Sequence, residues 1–536
     1  TMTDTSYAVI IGRYAGYNIN SSDANGTIAI GHEAGKAITH GLKNMAIGYQ
    51  ALQSATANDY NTAIGYTALY SISGSDGTEG EANTALGYRA GYSTTTGNFN
   101  TFLGRDTGYY NTTGESNVII GASSGQNNTI GSNNIYIGYQ SALNQTTKGE
   151  NVAIGTGGLY GASGEASSTE ASVAIGFQAA RGSSAGVGLT AVGRGALRNV
   201  SDSGSYSTAV GQNSGFYATG SYNTFVGASA GLGGTTSAPY SSGGSNTAVG
   251  YLALSEFTTL GGAVAVGWEA VRRATTATAP LGVGNRALHY LTTGGYNTAV
   301  GNQSMENTVT GIYNTAVGYQ AGSYFLNNYN TAVGFNAGKT ASGSHNTFVG
   351  KEAGLGGGGT SAPHSSGQYN TSVGSEALKG TTTANYNVAI GYQAGTVVTT
   401  GGNNVFLGGY RAGYANTSGN NNIMIGYAAG AANVSGDEMI LIGTGAGANL
   451  NHDTDNDGAV FIGYNAGTNY VSGGGGGVFI GFKAGQMADA AATNAVQNTY
   501  IGYEAGRFLD DGTNNVALGH TAMRSIDADG HNANHS

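Results

Sequence analysis

Apolar positions come in short bursts separated by polar stretches, with no helical beat of three and four. An aliphatic residue, a glycine, two further positions and a small residue recur 29 times, from Gly12 to Gly519. The glycine-to-glycine spacing is 17 in fifteen of the 28 intervals and 16 to 24 in the others, as occasional loop insertions into a fixed coil would give. The residue before the glycine is Ile, Val or Leu in all 29 copies, and Asn stands four positions before it in 19. The consensus reads N-T-A-[IV]-G-Y-x-A-G followed by about eight residues rich in Gly, Ser, Thr and Asn.

The first half of each repeat carries β-branched and aromatic residues, and the second half the vocabulary of turns. Each copy is therefore expected to form one short strand, a turn, a second weak strand and another turn. A unit this small cannot bury its own apolar face, so the copies must stack. The predicted fold is all-β: a parallel β-solenoid or β-roll of about 29 coils with a 17-residue period. At ~4.8 Å per stacked strand this is a rod on the order of 140 Å long.

Successive strand residues point to opposite faces, and here both faces are apolar. The residue two before the glycine is Ala in fifteen copies and large in twelve, among them Phe102, Ile119, Tyr136, Phe225, Phe406 and Tyr500. The expected arrangement puts the aliphatic residue, Leu86 for example, into the coil and its neighbour Ala85 toward a partner chain. One aliphatic side chain per coil contributes roughly 2 to 3 kcal/mol of burial. Backbone ordering costs roughly 1 kcal/mol or more per residue. A homotrimer sharing the outer apolar face resolves the shortfall. The repeated Asn is expected to stack on its equivalents, amide to carbonyl, and the repeat glycine to mark a bend or a close approach of backbones.

Composition narrows the partners. Glycine supplies 96 of 536 residues without a collagen triplet, and charged residues only 9%. With 29 acids against 19 bases the chain carries no basic footprint for nucleic acid. It has no cysteine, hence no disulfide and no thiolate chemistry. No run of about 18 apolar residues exists to insert into a membrane, and the start, "TMTDTSYAVIIGRYAG", has neither a basic nor an apolar leader region.

Candidate chemistry is sparse. In "NHDTDNDGAVF", Asp453, Asp455 and Asp457 alternate before Gly458, the opening of a calcium loop in which carboxylates two apart converge on one hard cation. The twelfth position is Tyr464, so the bidentate Glu of an EF-hand is missing; calcium is the one cofactor this motif suggests. Two insertions, through Pro239 and Pro363, repeat nearly the same sequence seven coils apart and are expected to project as loops, where binding usually resides. The residue after the repeat glycine is aromatic in 14 copies, which suits either packing between coils or stacking on sugar rings. Among carboxylates, Glu33, Glu352 and Glu376 share the position two after the glycine, as do Glu269 and Glu504, and only Glu352 and Glu376 fall on neighbouring coils. No catalytic constellation stands out, and the chain is not expected to be an enzyme.

The phrases "NTAIGYTAL" at 61–69, "NTAVGYQAG" at 314–322 and "NVAIGYQAG" at 387–395 resemble repeats of bacteriophage tail fibres, many of which end in an endosialidase-type intramolecular chaperone. The same phrase is similar to the head repeats of trimeric autotransporter adhesins, left-handed parallel β-rolls of shorter period. The resemblance covers residues 7–523, the predicted shaft, and leaves 524–536 as a polar tail or linker. It implies a left-handed, trimeric, non-enzymatic fibre on a virion tail or otherwise extracellular, holding or contributing to contacts with a host surface glycan or receptor. In that family the chaperone is released by cleavage after a serine, and a chain ending at Ser536 fits the cleaved form. A bacterial surface adhesin or extracellular filament subunit is the alternative reading, and a capsule-depolymerising tailspike the third.

Overall fold

The computed structural model describes residues 7–19, 24–74, 78–161, 169–183, 186–200, 205–234, 240–357, 365–450, 457–470, 476–487, 494–509 and 511–524. Its fold is an all-β parallel β-solenoid of about 27 turns with a period of about 17 residues, as the repeat predicts. No α-helix occurs among the described residues. The chain divides into two compact units, residues 1–276 and 277–536.

In the first unit, fifteen strands from Val9–Ile11 to Val264–Val266 pair in chain order, each parallel to the next. Register follows the repeat without slippage: Thr84 pairs with Thr101, Ala85 with Phe102 and Leu86 with Leu103. In the second unit, strands from Leu281–Val283 to Thr499–Ile501 and Val516–Leu518 also pair in parallel and in chain order, with one register shift where Ile390 pairs with Leu407 but Tyr392 with Tyr410, and a short side pair joins Asn494–Val496 to Asp511–Thr513. Every repeat glycine either directly follows one of these strands or, as with Gly391 in Val388–Tyr392 and Gly408 in Val405–Tyr410, lies within one.

The inside and outside of the coil are the reverse of the sequence expectation. The middle strand residue is the buried one: Ala85, Phe102, Ile119, Tyr136, Phe225 and Phe406 are all fully enclosed. The aliphatic residue that never varies faces outward, and Leu86 remains 44% exposed. The reason is volume. The residue four after the glycine takes a left-handed conformation, at Leu52 and Leu69 as at Gly91 and Gly108, and turns back into the coil. Where that residue is Leu the strand centre is small, Ala in five of seven coils, as in Ala63 with Leu69, and Gly282 or Ser372 in the others. Where the strand centre is Phe102, the position is Gly, and a Cβ on Gly91 or Gly108 would stand 2.6 or 2.2 Å from the Phe102 ring. The two positions therefore share one space: no coil combines a large strand centre with Leu at the turning residue.

Two polar ladders close the coil. The Asn position is buried, and its Oδ1 accepts the backbone N–H of the equivalent residue one coil on, at 2.9 Å from Asn100 to Asn83, 3.0 Å from Asn117 to Asn100 and 3.0 Å from Met439 to Asn422. In most coils Nδ2 also donates to a loop carbonyl, as from Asn83 to Gly97 at 2.9 Å. The Asn stacking expected from the sequence is present. The repeat glycine is a close approach as well as a bend: Gly48 has φ +135° and its Cβ would lie 2.3 Å from the Gly65 carbonyl oxygen. No other residue fits both requirements.

Candidate functional site

The described surface offers three kinds of feature: an outward aliphatic face, aromatic ladders and isolated ionic groups. The first and last residues of each strand face out and the middle one in, a pattern that recurs from Ile28–Ile30 to Val478–Ile480. In the second unit Val317, Val333, Ile390 and Leu407 of this outer row are each 38–40% exposed. An all-parallel sheet normally has both faces covered; here the coil covers only one.

The aromatic residues after the repeat glycine stack on one another. His32, Tyr49, Tyr66 and Tyr88 form one run with centroids 5.1–5.2 Å apart and planes within 12°. Tyr464, Phe482, Tyr503 and His520 form another. A second ladder stands just before the buried Asn, at Tyr296, Tyr313, Tyr329, His345, Tyr369 and Tyr386, with neighbouring centroids 4.8–5.4 Å apart. Sequence reading missed this ladder, although an aromatic directly before Asn in five of six successive repeats was visible. Stacking at this distance uses the ring faces on neighbouring rings. A sugar therefore meets ring edges and phenol hydroxyls along a ladder rather than open faces, and inter-coil packing accounts for the aromatics.

The carboxylate pair on neighbouring coils is occupied. Lys379 Nζ lies 2.7 Å from Glu352 Oε2 and 3.9 Å from Glu376 Oε1, and Gln393 Nε2 donates to Glu376 Oε2 at 2.9 Å. The hydrogen bond to Glu352 holds the Lys379 ammonium above its usual range. This is an ion-pair rung, unlike the acid and base a glycosidase sets across its substrate. Glu33 is tied likewise to Lys36 at 2.7 Å and to the amides of Gln50 and Gln53, and the Lys36 and Gln50 hydrogen bonds lower its pKa. Glu269 pairs with Arg272 at 2.9 Å, and Glu504 pairs with Arg507 and Arg524.

Of the expected calcium ligands, Asp453 and Asp455 lie outside the described residues, as do Pro239 and Pro363. Asp457 Oδ1 accepts the backbone N–H of Asp437 at 2.8 Å. Six positions before the repeat glycine, Asp59 and Asn98 accept the corresponding N–H groups of Leu42 and Glu81, both at 2.7 Å. Asp457 therefore belongs to a second polar ladder of the coil. Among the described residues no group of three or more potential metal-ligating side chains converges.

A recess interrupts the surface of the first unit. A cavity of about 220 Å³ opens over Gly195, between the aromatic rings of Phe177 and Phe216, with Arg194 and Arg198 on its wall.

No protein-family model matches the chain, and no curated protein matches it in sequence.

Proposed function

We propose that the chain is a non-enzymatic structural fibre, the shaft of a virion tail fibre, assembled as a homotrimer and acting outside the cell to bring a binding element to a host surface glycan. The solenoid supplies length and stiffness at little sequence cost, since each coil contacts only its neighbours. The observation that carries the reading is the outward row of Ile, Val and Leu on every repeat. An apolar row this long and this regular on a parallel sheet marks a surface made to be covered, and another copy of the same chain brings a row of the same pitch. The repeats quoted above resemble those of tail fibres, which supports the virion assignment.

Mass photometry of the purified chain tests the assembly. The expected particle has three times the 53.6 kDa of one chain. A triple variant, Val317→Lys with Val333→Lys and Ile390→Lys, should lose that mass while keeping its β circular dichroism. A wild-type chain that stays a 53.6 kDa monomer at micromolar concentration would overturn the reading.

A further inference from the structure

The recess over Gly195 is built by a local departure from the repeat. Two positions after the repeat glycine, successive coils carry Gln178, Gly195 and Asn213, so a side chain is missing here, as it also is at Gly157 and Gly445, and at Gly195 the gap is lined by two arginines. Gln178 and Asn213 hold the left-handed conformation there at φ 55°, and Gly195 adopts φ +65°. The backbone conformation is one that other residues adopt at this position, but a Cβ on Gly195 would stand 2.8 Å from Asn213 Oδ1 and 3.0 Å from the Phe216 ring, so a side chain there displaces the groups that line the recess.

Charge is as local as shape. In a chain of net charge −10, the residues between Glu170 and Glu256 include Arg181, Arg194 and Arg198, no lysine and a single acid, Asp202, which lies outside the described residues. Several arginines elsewhere lie against carboxylates, as Arg89 does against Asp106 at 2.7 Å and Arg286 against Glu306 at 3.0 Å. Arg194 and Arg198 pair with no carboxylate among the described residues. Instead they lean on the recess walls, Arg194 Cζ 5.9 Å from the Phe177 ring and Arg198 Cζ 5.1 Å from that of Phe216. Arg198 Nε is closed off from solvent with no hydrogen-bond partner. Stacking fixes the guanidinium planes while leaving their N–H groups available for an anion.

We propose that this recess binds one acidic sugar residue of a surface polysaccharide, its carboxylate or sulfate held by Arg194 and Arg198. The flanking Phe177 and Phe216 offer apolar walls to the ring carbons, and the Gln178 and Asn213 amides offer partners to its hydroxyls. At about 220 Å³ the space falls below the roughly 300 Å³ of a drug-sized pocket, which suits a single sugar unit. The proposal takes its ligand class from the glycan-reaching reading above and specifies the charge that reading leaves open.

The test is calorimetric titration of the intact chain with oligoguluronate, a sulfated dextran oligosaccharide, neutral dextran and single-stranded DNA, at low and high salt. Binding of either acidic glycan, weakened by salt and at least tenfold tighter than neutral dextran or DNA, is the expected result; the two acidic arms tell carboxylate from sulfate. Two variants must each lose at least tenfold: Arg194→Ala with Arg198→Ala, which removes the charge, and Gly195→Gln, which fills the recess and keeps both arginines. Gly195→Gln repeats the residue of Gln178, so it remains informative if the arginine variant fails to fold. No acidic-glycan binding, equal binding of neutral dextran or DNA, or full affinity in a folded variant would each overturn the proposal. Assembly is read separately by mass, so a monomer that binds acidic glycan retires the trimer and keeps this site.

Discussion

Asn100 Nδ2 donates to Asn83 Oδ1 at 3.1 Å, and its own Oδ1 accepts the backbone N–H of Asn117 at 3.0 Å. Both amide ends are thus engaged in a buried rung, with a further bond from Nδ2 to Gly114 O at 2.8 Å. Asn100→Asp keeps the shape and the acceptor but removes both donors and places a carboxylate beside two oxygens. A buried group left without its partner costs about 1–3 kcal/mol, and more when charged. Asn100→Ser should be milder, because Ser172 and Ser207 already occupy this position in other coils and Ser172 Oγ accepts the Leu189 N–H at 3.1 Å. Thermal melts followed by circular dichroism should rank wild type, Ser and Asp in that order; equal melting of Asp and Ser would discredit the ladder as a stabilising element.

Packing inside the coil predicts a coupling. Ser372 is a buried strand centre with Leu378 as its turning residue, beside a coil that uses Phe348 with Gly354. Ser372→Phe alone overfills the layer, at about 1–3 kcal/mol, and Leu378→Gly alone empties it, at about 2–5 kcal/mol. Together they convert this layer to the Phe–Gly form, so the double variant should be more stable than the sum of its parts by about 0.5–3 kcal/mol. Additive losses in denaturant melts would show that the two positions do not share one volume.

The period, the strand position, the Asn ladder and the close glycines were all legible in the sequence, because each is a local requirement repeated many times. The direction of the strand was not. A row of unvarying Ile, Val and Leu reads as core and a row of Ala as a contact surface, yet Leu407 is 40% exposed beside a fully enclosed Phe406. The decisive signal lay at a second position. Phe102, Phe225, Phe348, Phe461 and Phe479 are each followed six residues later, and Phe406 seven residues later, by the turning Gly108, Gly231, Gly354, Gly467, Gly485 and Gly413, where five of the fifteen Ala coils carry Leu. Reading one position at a time hides such compensation. The recess over Gly195 escaped for a related reason: it is a missing side chain within a pattern, visible only once the coils are in register.

The repeat glycine serves conformation and spacing at once, and the two can be separated. Gly350 has φ +134° and a Cβ there would stand 2.5 Å from the Gly374 carbonyl oxygen. Gly519 has φ +125° and nothing among the described residues within 4 Å of the same point. Gly519→Ala should therefore cost only its backbone strain, about 1–3 kcal/mol, confined to its own coil. Gly350→Ala adds a collision with backbone that can be relieved only by parting two coils. Hydrogen exchange should show Gly350→Ala exposing the strands Thr347–Val349 and Thr371–Val373, with Gly519→Ala leaving them protected. Equal protection in both variants would leave glycine's conformational freedom as its whole role.

Buried phenols give the coil an alkaline limit. Burial pushes the Tyr500 phenol up to about 12 from its ordinary 10.0, and drives that of Tyr136 well above the usual range. Below pH 10 the phenol is protonated in both folded and unfolded chains, so its contribution to stability is fully present. Above pH 10 the unfolded chain ionises first, and stability falls by about 1.4 kcal/mol per pH unit and per tyrosine until the folded group titrates. At pH 12 the loss from Tyr500 alone is on the order of 2 kcal/mol. Stability should hold level up to pH 9 and drop steeply between 10 and 12. Tyrosinate absorbance should then rise in two stages, exposed rings first and the buried ones only as their coils open. Tyr500→Phe should keep its neighbouring strands Val478–Ile480 and Val516–Leu518 protected from exchange at pH 11, where the wild type loses them. A wild type equally protected at pH 9 and pH 11 would mean that the phenol reaches solvent without unfolding.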